Sequence, residues 1–263
     1  MGYLVKEMDR KRIWTKSYGD LLLKRAQGKI PEMESSKSAA EKIKKIVKKN
    51  DKILDVGCGM GNYYISMKKR INFNFEYVGI DVIDDYIRKA KLVFKNEKNV
   101  SFKKGDIFQI PFNKNSFDVV MCNNFLHNLP SIEKPFRELL RVTKRYLLIR
   151  TLVGTRSFRI QEVRNSSWSD SARIPAEKEF KSNGEPVEFN FFNIYSQSYL
   201  DSLIKKLSPN SKYRFSADTS FDPKAIRKSA KKDGKLANYT SIIGDYQVNG
   251  YILMPWTFIE ITK

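Results

Sequence analysis

The chain has 263 residues, of which 41% are hydrophobic, and this is enough for one large domain with additions. No apolar run approaches the length of a membrane span and no signal peptide is visible, so we expect a cytoplasmic protein. Two cysteines and one histidine exclude a disulfide framework and a zinc set, so no metal is expected, whereas the net charge of +20 favours an anionic partner.

The first part of the chain, residues 1–37, mixes aromatic and basic residues. A leucine run at 21–23 indicates an amphipathic helix. Ser38 followed by Glu41 matches a capping box, in which each of the two side chains bonds a free backbone amide at the start of a helix. We therefore expect a helical N-terminal extension over residues 1–37 and a main domain over residues 38–263.

A glycine-rich turn follows the first predicted strand. The segment Ile53–Val56, apolar apart from Asp55, is typical of a buried parallel strand, and three glycines follow it at alternate positions. At Gly57 and Gly59 the backbone can approach a ligand, because no side chain stands in the way, and Gly61 lets the next helix pack closely. This spacing differs from the G-x-G-x-x-G of nicotinamide and flavin sites, which points away from hydride chemistry.

The next predicted strands also end in polar residues. Tyr77–Asp81 ends in a carboxylate 20 residues after the last glycine, where an acid is placed to accept hydrogen bonds from a ribose. Gly105–Ile107 carries a further acid, and Phe117–Asn123 is typical of another buried strand. Because strands alternate with helices, we expect a parallel sheet with right-handed crossovers.

In their order and spacing, these motifs make the chain resemble a class I S-adenosylmethionine-dependent methyltransferase of the broad methyltransferase-11 type. The resemblance covers residues 39–150, although the family's Pro-Gly-Gly turn is replaced by Thr143–Tyr146. It implies an α/β, Rossmann-like doubly wound sheet that is mostly parallel, with an antiparallel last strand at Thr257–Ile261. The four family motifs correspond to Ile53–Gly61, Val78–Asp81, Lys104–Asp106 and Phe117–His127.

The resemblance also implies how the chain would bind S-adenosylmethionine. Asp81 would accept from both ribose hydroxyls, and Asp106 from the exocyclic amine of the adenine. The methionine end would lie against the glycine loop. The implied cofactor residues are Asp55, Gly57, Cys58, Gly59, Gly61, Asp81, Val82, Asp106, Ile107 and Asn123.

On the acceptor side, methyl transfer relies mainly on proximity and alignment, and a base is needed only for a protonated acceptor. His127, which follows the fourth motif strand, is the candidate base, and the alternative is a role in packing or hydrogen bonding. In the family, segments before the first motif fold over the active site. Trp14 and Tyr18 would then line a substrate pocket, unless they only pack their helix on the domain.

Two polar insertions interrupt the second half of the chain, at about residues 151–193 and 221–250, and such long insertions are usually lids or binding segments. Arginine dominates the first insertion, and guanidinium groups suit carboxylate and phosphate. A mobile basic loop is the alternative. The predicted acceptor contacts are Arg150, which closes predicted strand five, and Arg156, Arg159 and Trp168.

The function that these features indicate is methylation of an oxygen or nitrogen of an anionic small molecule, such as a sugar or nucleotide-linked metabolite. An RNA methyltransferase that uses the basic surface is an alternative, although no RNA-binding module is recognisable. A non-catalytic protein that keeps the cofactor fold is a third possibility, against which the intact glycine loop and acids argue. The lysines are spread along the whole chain, so compositional bias also remains open as the origin of the charge.

Overall fold

The computed structural model describes residues 16–163, 175–219, 240–243, 246–249 and 252–263. The helices in these ranges are α1 (Lys16–Ala26), α2 (Glu34–Lys44), α3 (Asn62–Lys68), α4 (Asp84–Val93), α5 (Glu133–Val142) and α6 (Gln197–Leu207). The strands are β1 (Lys52–Val56), β2 (Glu76–Asp81), β3 (Val100–Lys104), β4 (Phe117–Asn123), β5 (Thr143–Gly154), β6 (Gln161–Val163), β7 (Phe189–Phe191), β8 (Tyr195–Ser196), β9 (Lys212–Ala217), β10 (Thr240–Ile243), β11 (Tyr246–Asn249), β12 (Ile252–Met254) and β13 (Trp256–Thr262). None of the helices in the described part of the chain is long and apolar enough to span a membrane.

The main sheet has the order β3-β2-β1-β4-β5-β13-β9, and β8 pairs with β5 off this path. Strands β1 to β5 run parallel, whereas β13 is antiparallel to both β5 and β9. The predicted α/β fold with an antiparallel last strand is therefore confirmed. Strand order reverses between β1 and β4, and in open α/β sheets ligands bind beyond the carboxyl ends of strands at such a point.

Helices cover both faces of the sheet, and this explains why its central strands β1, β4 and β5 are almost continuously buried. Alternate side chains of β1 point to opposite faces. Ile53 packs in one core with residues of α1, α2, α3 and α4, together with Tyr77. Leu54 packs in a second core with residues of α5 and α6, together with Val78. The two cores fix the sheet and hold the strand ends in place.

The predicted capping box at Ser38 is wrong. Helix α2 begins at Glu34 and Met33 is its N-cap, so Ser38 lies in the second turn. Its hydroxyl donates to Asp218 Oδ1 at 2.7 Å, and thus joins the helix to the end of β9 instead of capping it. The proposed division into an extension and a main domain remains a prediction.

Strand five is longer than predicted, and both insertions contain strands that the sequence analysis missed. β5 continues to Gly154, so the prediction that Arg150 closes this strand is wrong. In the first insertion, β6 and β7 form an antiparallel pair, and β8, just after the insertion, lies beside β5. In the second, β10 and β11 pair antiparallel, and β12, just after the insertion, extends the same sheet. Strands of two to four residues carry too few alternations to show a period.

Candidate functional site

The glycine loop between β1 and α3 is held close to strand β2. The amides of Gly57 and Cys58 donate to the carbonyl oxygen of Ile80 at 2.8 and 3.0 Å. Gly57 and Gly59 have φ angles of +77° and +54°, a left-handed conformation that costs a side-chain-bearing residue about 1–2 kcal/mol. The glycines are therefore required by the backbone, and a Cβ at Gly57 or Gly59 would also come within 3.3 Å of Phe125 or Leu22.

Asp81, at the end of β2, joins this loop to the start of α4. Its Oδ2 accepts from the amide of Gly59 at 3.0 Å and its Oδ1 accepts from the amide of Ile83 at 2.9 Å. Burial raises the pKa of Asp81 above its usual range, and the backbone bonds oppose this shift. Since each carboxylate oxygen can accept two hydrogen bonds, Asp81 keeps acceptor capacity for a ligand.

A cavity of about 60 Å³ lies at the carboxyl ends of β1, β2 and β4. It is much smaller than the roughly 300 Å³ at the lower end of small-molecule sites. Leu22 of α1 approaches Gly59, with Cδ1 only 3.3 Å from the position that a Cβ there would occupy. In this conformation the N-terminal helix thus narrows the site. The cavity is lined by Leu22, Met33, Gly57, Cys58, Gly59, Asn62, Tyr63, Asp81, Tyr86, Asn123, Asn124 and Phe125.

Two asparagines in the cavity wall carry unsatisfied polar atoms. Oδ1 of Asn62, and both Oδ1 and Nδ2 of Asn123, are buried without a hydrogen-bond partner among the described residues. A buried unsatisfied donor or acceptor costs about 1–3 kcal/mol, so such atoms indicate a polar ligand. Donors and acceptors at this end of the cavity fit the ammonium and carboxylate of an amino acid, which the methionine end of S-adenosylmethionine carries.

Asp55 lies beneath the glycine loop rather than in the cavity wall, and it is 1% exposed. Its Oδ2 accepts from the hydroxyl of Tyr77 at 2.6 Å. Burial raises the pKa of Asp55 to about 7, and the charge of Asp81 adds to the shift. The carboxyl group is therefore only partly ionised near neutral pH before any cation approaches it.

The structure brings Gly57, Cys58, Gly59, Asp81 and Asn123 together around one cavity, as the sequence analysis expects. The remaining predicted cofactor residues have other surroundings. Val82 is half-buried after β2 and lies outside the cavity wall.

Gly61 packs against aromatic rings, because a Cβ there would stand 2.7 Å from Phe94 Cε2. Asp106 closes its own turn, with Oδ1 accepting from the amide of Phe108 at 2.9 Å. Ile107 is buried in the core shared with α5 and α6. The predicted adenine contacts of Val82, Asp106 and Ile107 stay predictions.

His127 lies in the 3-10 turn Leu126–Asn128 after β4 and is 5% exposed. Its ring packs edge-on against Phe192 and Trp256, with centroid distances of 5.2 and 5.1 Å. Burial, reinforced by the charge of Arg150, lowers the pKa of His127 to about 3. A nitrogen with this pKa stays neutral near pH 7 and accepts protons weakly, so these surroundings favour the packing alternative over a base.

Arg150 is 3% exposed and its charge is compensated within the protein. Nε donates to Asp218 Oδ2 at 2.6 Å, and an Nη donates to the side chain of Asn124. The guanidinium also lies 4.1 Å from the ring centroid of Trp256. An anionic acceptor would have to displace Asp218 to pair with Arg150, so the predicted substrate contact lacks the free charge on which it depends.

The two other described arginines of this group are exposed. Arg159 donates from Nη1 to the carbonyl oxygen of Pro130 at 2.9 Å, and its guanidinium lies 4.4 Å from the ring centroid of Phe191. Pro130 follows the turn that carries His127, so Arg159 is held on the carboxyl-end side of β4. Arg156 lies after β5. Trp14, Trp168 and the side chain of Tyr18 lie outside the described residues.

Several residues of the cavity wall were not predicted from the sequence. Asn62 and Tyr63 begin α3 directly after the glycine loop, and this position in a strand–turn–helix unit is a signal that could have identified them. Tyr86 lies in the first turn of the helix that follows Asp81. Leu22 and Met33 come from the N-terminal helices, and no local pattern places them over the loop.

Comparison with known proteins agrees with this geometry. A family model described as a methyltransferase domain matches residues 47–213, more than half of the chain. Demethylmenaquinone methyltransferase of Staphylococcus carnosus (strain TM300) is 33% identical over 98 residues, which are 37% of this chain and 41% of that protein. An uncharacterised methyltransferase of Schizosaccharomyces pombe is 35% identical over 108 residues, 38% of each chain. The chain thus aligns with about two fifths of the length of these curated relatives.

Solved structures show the same fold. A SAM-dependent methyltransferase from Methanosarcina mazei superposes with a TM-score of 0.53 at 16% identity, over 84% of this chain and 96% of that one. The [4+2]-cyclase SpnF superposes with a TM-score of 0.55 at 15% identity, over 86% of this chain and 80% of that one. At such low identity the likeness concerns the fold alone, and the chemistry must be argued from the site.

Proposed function

Since the chain belongs to the methyltransferase-domain family, we propose that it transfers a methyl group from S-adenosylmethionine to an oxygen or nitrogen of an anionic small molecule, such as a sugar or a nucleotide-linked metabolite. The observation that carries the proposal is the cavity in which the glycine loop, Asp81 and the unsatisfied atoms of Asn62 and Asn123 meet. The resemblance to class I S-adenosylmethionine-dependent methyltransferases is confirmed by the family match.

Each part of the cavity suits one part of the cofactor. Asp81 would accept from the ribose hydroxyls with the acceptor capacity that its bonds to backbone amides leave free. Asn62 and Asn123 would form hydrogen bonds with the amino-acid end. These bonds would remove the free-energy cost of leaving their buried polar atoms unsatisfied. When bound, S-adenosylmethionine supplies a methyl group already activated by the positive sulfur. The protein then has mainly to align the acceptor and exclude water.

The acceptor would approach at the carboxyl end of β4, where Asn124 and Phe125 line the cavity. Arg159 is exposed there, and it uses one N–H on Pro130, so its other donors remain for an anion. Because His127 is buried and neutral, a base from the enzyme is not apparent among the described residues. An acceptor whose oxygen or nitrogen is deprotonated in solution suits this site best.

The position of one cluster of exposed lysines favours a small molecule over RNA. Lys44, Lys45, Lys48 and Lys49 are all exposed at or just beyond the end of α2. This segment leads into β1, so these charges lie at the amino ends of the strands, on the opposite edge of the sheet from the cavity. RNA bound to this cluster alone would lie away from the site.

The test is a transfer assay with methyl-labelled S-adenosylmethionine against sugar phosphates, nucleotide sugars, their uncharged parents and RNA. We expect transfer to a charged small molecule and little to its uncharged parent. Arg159→Ala should raise the acceptor KM by up to about fivefold and leave kcat unchanged, since an exposed ion pair contributes about 0.2–1 kcal/mol.

The matched control is Arg137→Ala, which removes another exposed arginine that pairs with Glu133 on α5. It should leave the acceptor KM unchanged. Transfer to RNA, with affinity that falls steeply as salt increases, would replace the small-molecule proposal by the RNA alternative. Equal transfer to charged and uncharged small molecules would remove the anionic requirement.

A further inference from the structure

A tyrosine hydroxyl is buried directly behind the glycine loop. Tyr77 on β2 is 0% exposed, and its hydroxyl donates to Oδ2 of Asp55 on β1 at 2.6 Å. In the parallel pairing of these strands Tyr77 lies opposite Ile53, and Gly79 lies opposite Asp55. Tyr77 therefore reaches Asp55 diagonally on one face of the sheet, as long side chains on neighbouring strands can.

The charged and titratable groups around Asp55 leave it without a cation. Asp81 at the end of β2 and Cys58 in the glycine loop interact with it, and Cys122 of β4 interacts with it from the other face of the sheet. Tyr63 of α3 interacts with Tyr77. No lysine or arginine pairs with Asp55 in the part of the chain that the structure describes. The hydroxyl of Tyr77 is thus the donor that favours the ionised form of Asp55.

We propose that Tyr77 is a positioning residue for the cofactor, because its hydroxyl donates to the Asp55 carboxylate and orients it for the ammonium group of S-adenosylmethionine. This inference rests on the proposed function, in which the amino-acid end of the cofactor lies over the glycine loop. The ammonium is then the cation that the surroundings of Asp55 lack. A buried carboxylate without a cation is costly, and pairing with the ammonium offsets part of that cost.

A purely structural role for Tyr77 has different consequences. Its ring belongs to an aromatic cluster and lies 5.2 Å from that of Tyr64 and 5.8 Å from that of Phe102. Tyr77→Phe keeps this ring and removes only the hydroxyl. If the hydroxyl merely fills space, its loss lowers the stability of the protein but does not change how tightly the amino-acid end of the ligand, which carries the ammonium, is bound.

The experiment measures the Kd of two ligands by calorimetry for the wild type and Tyr77→Phe. S-adenosylhomocysteine carries the ammonium, whereas 5′-methylthioadenosine has the nucleoside and sulfur without the amino-acid end. We expect Tyr77→Phe to raise the Kd of S-adenosylhomocysteine about tenfold near pH 7 and to leave the Kd of methylthioadenosine unchanged. The difference in S-adenosylhomocysteine affinity between the wild type and Tyr77→Phe should become smaller as the pH rises from about 6 to 8, because Asp55 then ionises even without the hydrogen bond from Tyr77.

Tyr64→Phe is the matched control, because it removes a hydroxyl from the same cluster that bonds Glu97 instead, at 3.0 Å. It should bind both ligands as the wild type does. In an Asp55→Asn background, Tyr77→Phe should have no further effect on S-adenosylhomocysteine, and this comparison holds even if Tyr77→Phe is less stable.

Three results would overturn the inference. Equal weakening of both ligands, or of neither, by Tyr77→Phe would show that the hydroxyl does not act through Asp55 on the ammonium. If Tyr77→Phe caused the same loss of S-adenosylhomocysteine affinity in the Asp55→Asn background, this would also show that the hydroxyl does not act through Asp55. A wild type that binds neither ligand would instead overturn the proposed function itself, together with the inference that rests on it.

Discussion

Replacing Arg150 by methionine should destabilise the protein, because it leaves Asp218 buried without its guanidinium partner. The side chains of the pair are only 4% and 5% exposed, and the bond between them is 2.6 Å long. Removal of one partner from a buried ion pair costs about 3–5 kcal/mol, and water does not screen this pair. At about 2–4 °C per kcal/mol, the Tm should fall by roughly 6–20 °C.

Thermal and urea unfolding of four proteins would measure this effect: the wild type, Arg150→Met, Asp218→Leu and the double variant. The double variant should be less destabilised than the sum of the single ones, since two apolar groups leave no uncompensated charge. Cofactor affinity should stay nearly unchanged. If Arg150→Met unfolds like the wild type and only the acceptor KM rises, Arg150 is a substrate contact and its assignment as a structural ion pair is refuted.

Four further predictions concern the site and its support. Asp81→Ala should weaken S-adenosylhomocysteine tenfold or more in calorimetry, at about 1.5–3 kcal/mol for each lost bond; an unchanged Kd would remove Asp81 from the site. Asp55 has a pKa of about 7 when folded and 3.8 as the ordinary value, so the folded state keeps a proton that the unfolded state loses. The free energy of unfolding should therefore fall as pH rises from about 4 to 7, by on the order of 4 kcal/mol relative to Asp55→Asn, and parallel curves would contradict this. Gly61→Ala places a Cβ 2.7 Å from an aromatic ring at φ +82°, and should cost about 2–5 kcal/mol in urea unfolding. Gly184→Ala, at φ +81° with open space, should cost only about 1–2 kcal/mol, and equal costs would argue against the close packing. His127→Gln should leave the acidic limb of the pH–rate profile unchanged, whereas its disappearance would restore His127 as the base.

The cofactor side of the site could be predicted from the sequence because its determinants are local. Three glycines directly after an apolar strand specify a turn with left-handed backbone, and the carboxylate that ends the next parallel strand meets this turn at the same edge of the sheet. The structure shows the resulting bond between Asp81 and the amide of Gly59. Strand alternation with helices predicted the sheet in the same way, from the period of the apolar residues.

The acceptor side could not be predicted in the same way, because its contacts join distant parts of the chain. Asp218 lies 68 residues after Arg150, and nothing local indicates that it neutralises that arginine. The length of β5 is set by its pairing with β13, in which Phe258 lies opposite Arg150. Leu22 and Met33 reach the cavity only because α1 and the turn after it fold over the loop. A motif that identifies a cofactor therefore carries little information about the acceptor.

A calorimetric titration with S-adenosylhomocysteine tests most directly whether the glycine loop holds S-adenosylmethionine. Gly59→Arg places a long side chain where the loop opens to the cavity, 3.3 Å from Leu22 at its Cβ. The control is Gly28→Arg, which has a similar φ of +70° but no neighbouring atom within 4 Å. The wild type and Gly28→Arg should bind alike and Gly59→Arg should not bind. Equal affinity of all three proteins would contradict the placement of the cofactor in this loop.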